Sequence, residues 1–128
     1  MKCKVIIKKP NQSAKIDYIN TELEDLQEVV GGLIEYPYFS GFSEKGISLI
    51  VNEEGRFIDL KPNIALMHQN KIVDYIFGNI IFIGEKETDD GIESESLNDE
   101  QIAFINKSFS NKFKCIINDG NVLDVINI

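Results

Sequence analysis

The chain reads as a single α+β domain, and three observations predict it. Short β-branched runs such as Val5-Ile6-Ile7, Ile47–Val51 and Ile80-Ile81-Phe82-Ile83 have the length and composition of strands. Two longer segments near residues 21–30 and 96–108 carry apolar residues at helical spacing. The strands come in groups separated by turn residues and do not alternate regularly with helices, so the sheet is mostly antiparallel. The expectation is a mixed, mostly antiparallel sheet of about five to seven strands with two main helices on one face. The core runs from about residue 2 to 109, with a hairpin extension over about 110–128.

Taken in order, Cys3–Lys8 forms a first strand that Pro10-Asn11 terminates, and Lys15–Ile19 a short second one. Thr21 and Glu24 stand at capping-box spacing, which starts a helix there. Leu23, Leu26, Val29 and Val30 form its buried face, and Gly31-Gly32 ends it. Leu33–Tyr38 then reads as a strand with Pro37 near its end, and Phe39–Gly46 as a loop. Ile47–Val51, the turn Asn52-Glu53-Glu54-Gly55 and Arg56-Phe57-Ile58 form a hairpin pattern in which Gly55 supplies a positive φ.

Beyond Pro62-Asn63, Ile64–Met67 permits one or two helical turns ending near Asn70. Asn79–Glu85 suits a central strand covered on both faces. Thr88–Glu95 is acidic and contains glycine, as a mobile loop would. Ser96 caps a second helix from Leu97 to about Ser108, with Asp99 and Glu100 at the positive end of its dipole. Phe113–Ile117 and Val122–Ile126 flank Asn118-Asp119-Gly120-Asn121, a strong hairpin signal.

Composition excludes several function classes. A chain of 128 residues with 43% hydrophobic and 27% charged residues is globular. Its net charge of −8 argues against direct contact with nucleic acid or anionic lipid. The charge is uneven: Lys2, Lys4, Lys8, Lys9 and Lys15 make the start basic, while Glu85–Glu100 holds eight carboxylates and one lysine, Lys86. Cys3, Cys115 and the single His68 lack metal-ligand spacing, so neither a metal nor a cofactor is expected. The first residues do not read as a signal peptide, and no apolar run is long enough to span a bilayer. The expected compartment is the cytoplasm, with both thiols reduced.

Several segments share one pattern in order: Leu26–Glu35, with Val29-Val30-Gly31-Gly32 at its centre, then Asn52-Glu53-Glu54-Gly55, Leu60–Ala65, Asp74–Gly84, and Ser96–Ile102. Over roughly residues 2–105 this resembles domain-of-unknown-function family 3846, small proteins of Gram-positive bacteria, their phages and plasmids. The chain departs from that pattern at Leu33, where an aromatic residue is usual, at Ile64, where an Arg is usual, and in a longer tail beyond about Phe109. The resemblance implies a phage or mobile-element gene product and carries no activity with it.

The candidate ligand-binding residues are Asn52, Glu53, Glu54, Asn63, Tyr36 and Tyr38. The adjacent carboxylates of the NEEG turn could hold a cation or accept from a ligand amine, although the same residues suit a solvated turn. Tyr36 and Tyr38 offer rings for stacking or core packing. Asn63 could donate to a ligand or cap a helix. His68 has no nucleophile partner at a telling spacing, and Asp89-Asp90-Gly91 lacks the ligand order of a calcium loop. No catalytic residue is assigned.

The leading expectation is a small acidic binding or regulatory accessory protein of phage or mobile-element type. One version of it antagonises a host factor through the acidic Glu85–Glu100 surface and the first helix. The alternative is a small-ligand or nucleotide-signal binder, a possible homo-oligomer with Tyr36, Tyr38, Asn52 and Asn63 around its pocket. The third reading is a hydrolase, which needs carboxylates from separate elements, such as Glu35 and Glu53, to converge in a cleft.

Overall fold

A computed structural model describes residues 2–110, 113–116 and 122–127. Its strands are β1 (Lys2–Lys8), β2 (Lys15–Asn20), β3 (Ile34–Glu35), β4 (Ile47–Asn52), β5 (Pro62–His68), β6 (Lys71–Phe77), β7 (Ile80–Thr88), β8 (Gly91–Glu95), β9 (Phe113–Ile116) and β10 (Val122–Asn127). Its helices are α1 (Leu23–Val30), α2 (Ser40–Ser43) and α3 (Asp99–Ser108). The class is α+β, and neighbouring strands run antiparallel throughout the described residues.

The strands divide into two sheets. Six form one sheet in the order β2-β1-β7-β4-β3, with β8 also paired to β7, and four form another in the order β6-β5-β10-β9. Alternation along a strand sends successive side chains to opposite faces, and the first sheet buries both. Cys3, Val5, Ile7, Ile50, Ile81 and Ile83 pack against Leu26 and Val30 of α1. On the other face Ile6, Leu49, Phe82 and Ile80 meet Ile64 and Leu66 of β5, Leu123 and Val125 of β10, and Ile102 and Ile105 of α3. The two main helices therefore lie on opposite faces and not on one, because the unbroken apolar run of β7 needs cover on both sides.

Several local expectations change for identifiable reasons. Ile64–Met67 is strand and not helix; β5 and β6 close through His68-Gln69-Asn70-Lys71, with Gln69 and Asn70 at φ 50° and 64°. Two successive left-handed residues mark a type I′ hairpin turn, here without the glycine that usually announces it. Arg56-Phe57-Ile58 is not a strand, and β4 does not fold back on itself. The segment after Asn52 turns, then crosses from the first sheet to the second. Gly55 does not take a positive φ; Asp59 does, at 62°. Gly55 is needed for space, since a Cβ there would lie 3.1 Å from Phe77 Cβ.

Phe39–Gly46 is more than a loop, because α2 inserts the fully buried Phe42 beside Phe82, with ring centroids 5.3 Å apart. Leu33–Tyr38 contributes only the two residues of β3, and Leu23 is exposed. Thr88–Glu95 is an ordered hairpin with Gly91 at φ 117°. The N-cap of α1 is Glu22, without a side-chain cap bond. In α3 it is Asn98 that caps, in a reciprocal box with Gln101, while Ser96 Oγ accepts from Lys4 N–H. The tail read as an extension supplies β10 to the middle of the second sheet. The predicted turn at Asn118–Asn121 lies outside the described residues.

Candidate functional site

The end of β4 is built around one asparagine. Asn52 is buried; its Nδ2 donates to Val30 O at 3.1 Å, and its Oδ1 accepts from Glu54 N–H at 2.7 Å. The amide thus ties the C-terminus of α1 to the turn, an arrangement Asn makes readily because it mimics a main-chain turn. Gly32 allows this approach, since a Cβ there would meet Asn52 Nδ2 at 3.0 Å. Glu53 N–H donates to Leu33 O at 2.8 Å, and Glu35 on β3 pairs with Val51. Two glutamates from separate elements are thereby brought to the same side of the first sheet.

From the crossing segment, Arg56 reaches to the second sheet and pairs with Asp74 on β6 at 2.5 Å. Asp74 Oδ1 also accepts from Tyr75 N–H. Between these groups lies a cleft of about 230 Å³ that bridges the two sheets. Its polar lining is Glu35, Asn52, Glu53, Arg56 and Asp74, and Tyr38, Tyr75 and Phe77 add rings. Burial holds the Glu35 carboxyl above its usual range; the neighbouring Glu53 charge adds to this, and Arg56 opposes it. Three carboxylates against one guanidinium give the lining a formal net charge of −2.

Of the residues singled out from sequence, Tyr38, Asn52 and Glu53 line this cleft, and Glu35 joins them. Glu54 and Tyr36 are exposed and do not line it. Asn63 is elsewhere and fully buried. Its Nδ2 donates to Lys8 O and to Gly78 O, each at 2.8 Å, and its Oδ1 accepts from Lys8 Nζ at 2.5 Å. Those bonds use both of its donors, so Asn63 caps no helix and offers no donor to a ligand. Lys8 is itself only 1% exposed, and its ammonium lies 5.9 Å from the Phe109 ring centroid. Burial pulls its pKa down.

Arg56 and Asp74 were missed in the sequence. Arg56 did carry a signal, as the only arginine of the chain; Asp74 stood only at the head of the Asp74–Gly84 segment, and its pairing depends on how two sheets stack. His68 is exposed at the end of β5. Among the described residues no three His, Cys, Asp or Glu side chains gather as a metal site, and no helix is long and apolar enough to cross a membrane.

No curated protein and no solved structure matches the chain. A family model does match residues 1–113, and by that match the chain belongs to the family described as Domain of unknown function (DUF3846).

Proposed function

We propose that the chain is a non-catalytic binding protein, a cytoplasmic accessory factor of phage or mobile-element type. In this reading it takes a cationic side chain of a protein partner in the cleft between Glu35, Glu53 and Asp74. The observation that carries the reading is the charge of the cleft: a lining of formal net charge −2 with aromatic rings in it favours a guanidinium or ammonium group. A cation placed there would also relieve the repulsion between Glu35 and Glu53. Tyr38, which lines the cleft, is 46% exposed, which suits a partner with an apolar residue flanking its basic one. The same charge disfavours a nucleotide phosphate. The acidic hairpin of β7 and β8 is a weaker docking surface, since Lys86 sits opposite Glu93 and Glu85 bonds to Ser48 Oγ.

Fluorescence anisotropy with a labelled hexa-arginine peptide tests this, using two charge-matched variants. E35Q/E53Q should weaken binding by roughly tenfold, about 1.4 kcal/mol, while E87Q/E93Q on the β7–β8 hairpin should leave it nearly unchanged. Equal weakening by both would mean that only the net charge attracts the peptide. A second reading has one specific observation behind it: a carboxyl raised by burial beside a second carboxylate is the pairing that acid–base hydrolysis uses. Mass spectrometry of the same incubation separates the two readings, since a hydrolase would cut the probe and a binding protein returns it intact.

A further inference from the structure

Three of the edge strands, β3, β6 and β2, differ. β3 has two residues and runs on to Pro37, which lacks an N–H. β6 shifts register twice against β5, between Pro62 and Ile64 and between Leu66 and Met67, and such irregular edges resist further pairing. β2 keeps one unbroken register against β1, from Lys2 opposite Asn20 to Ile7 opposite Lys15. It contains neither proline nor glycine, and it exposes Ile16 by 50% and Tyr18 by 60%. Residues opposite one another share a sheet face, so Ile16 and Tyr18 lie on the side of Ile6 and Lys4, and Lys15 and Asp17 on the side of α1. Tyr18 N–H donates to the Asp17 carboxylate at 2.7 Å. That turns the main-chain groups of Tyr18, and by alternation those of Ile16, toward the open edge.

We propose that two copies of this chain associate through β2, strand against strand, about a twofold axis at Ile16. In that antiparallel register Ile16 faces Ile16 of the second copy, Ala14 faces Tyr18, and Lys15 faces Asp17 twice, once on each side of the axis. The charges select this register: an axis at Asp17 would set two like carboxylates against each other, which is destabilising for residues directly opposite. Asp17 then exchanges the Tyr18 N–H for the second copy's Lys15, and the freed N–H takes a carbonyl of the added strand. β2 and β3 are at opposite ends of the strand order, so the association leaves the cleft open and presents two clefts per pair. An interface of one strand pair is small and belongs to the transient class, so association is concentration-dependent.

Sedimentation velocity from low micromolar to millimolar chain tests the proposal. The wild-type mass should rise toward that of a dimer. D17K, which sets Lys against Lys, and K15D, which sets Asp against Asp, should each stay monomeric. An equimolar mixture of the two should dimerise again, because every facing pair is then opposite in charge. Both positions are solvent-exposed, and thermal melts confirm that the variants are folded. A wild type that is monomeric at millimolar concentration overturns the proposal. So does dimerisation that survives either single substitution, or a mixture that recovers nothing.

Discussion

Replacing Asn63 by alanine should be the most damaging polar substitution in the core, and its cost can be built from the bonds it removes. Asn63→Ala deletes the acceptor of the buried Lys8 ammonium and both donors that meet Lys8 O and Gly78 O. A hydrogen bond to a charged group contributes about 1.5–3 kcal/mol. Each carbonyl left without its donor adds about 1 kcal/mol, near the low end of the range because a carbonyl tolerates partial loss better than an N–H. The sum is about 3.5–5 kcal/mol, a large share of the ~5–15 kcal/mol that keeps a domain folded. Urea unfolding followed by circular dichroism measures it directly. Because the loss centres on the ammonium, K8M/N63A should lose less than the two single substitutions added together, the signature of residues that act as a unit. A loss below about 1 kcal/mol for Asn63→Ala, or strictly additive losses, would show that Lys8 on β1 and Asn63 on β5 do not act as one buried unit.

Further outcomes follow from the same structure. Lys8 releases its proton at lower pH folded than unfolded, so between its lowered value and about 10.4 the unfolded chain binds more protons and stability rises with pH. Urea midpoints from neutral to alkaline pH should show this slope in the wild type and not in K8M. Gln69→Gly should stabilise by about 0.5–1 kcal/mol, because it removes a side chain from a left-handed position, as a raised urea midpoint would report. Gly78→Ala should cost more than Gly31→Ala, although φ is near +80° at both. Its Cβ would fall 2.7 Å from Leu60 Cδ1, while nothing lies within 4 Å at Gly31; the expected losses are about 2–3 against 1 kcal/mol, read as differences in melting temperature.

What could be read from the sequence depended on how local the determinant was. Val5-Ile6-Ile7, Ile47–Val51 and Ile80–Ile83 announced themselves because strands buried on both faces are almost continuously apolar, with Ser48 the one polar residue among the three runs. The same apolar character misled at Ile64–Met67, where a short apolar run after Pro62-Asn63 fits a helical turn as well as a strand. The I′ turn at Gln69-Asn70 lacks glycine, and the glycine of the NEEG turn serves packing against Phe77. Both reverse the usual association of glycine with positive φ. Alternation also could not say which strands share a sheet, so the division into two sheets stayed hidden, and with it the pairing of Arg56 with Asp74 across the cleft. Asn52, Glu53 and Tyr38 were legible because a polar turn beside an aromatic stretch is a local feature. Asn63 was misplaced because its partners, Lys8 and Gly78, are distant in sequence. The family match ends at residue 113, so β10, which fills the middle of the second sheet, lies beyond it.

Titration of isotopically labelled protein with arginine amide, followed through amide and side-chain carboxyl resonances by NMR, tests whether the cleft bridging the sheets accepts a cation. Saturable shifts should concentrate at Glu35, Glu53, Asp74 and Tyr38, with the Glu35 carboxyl titrating at lower pH once arginine amide is bound. Shifts spread evenly over the acidic surface, or gathered along the β7–β8 hairpin, would contradict binding in the cleft.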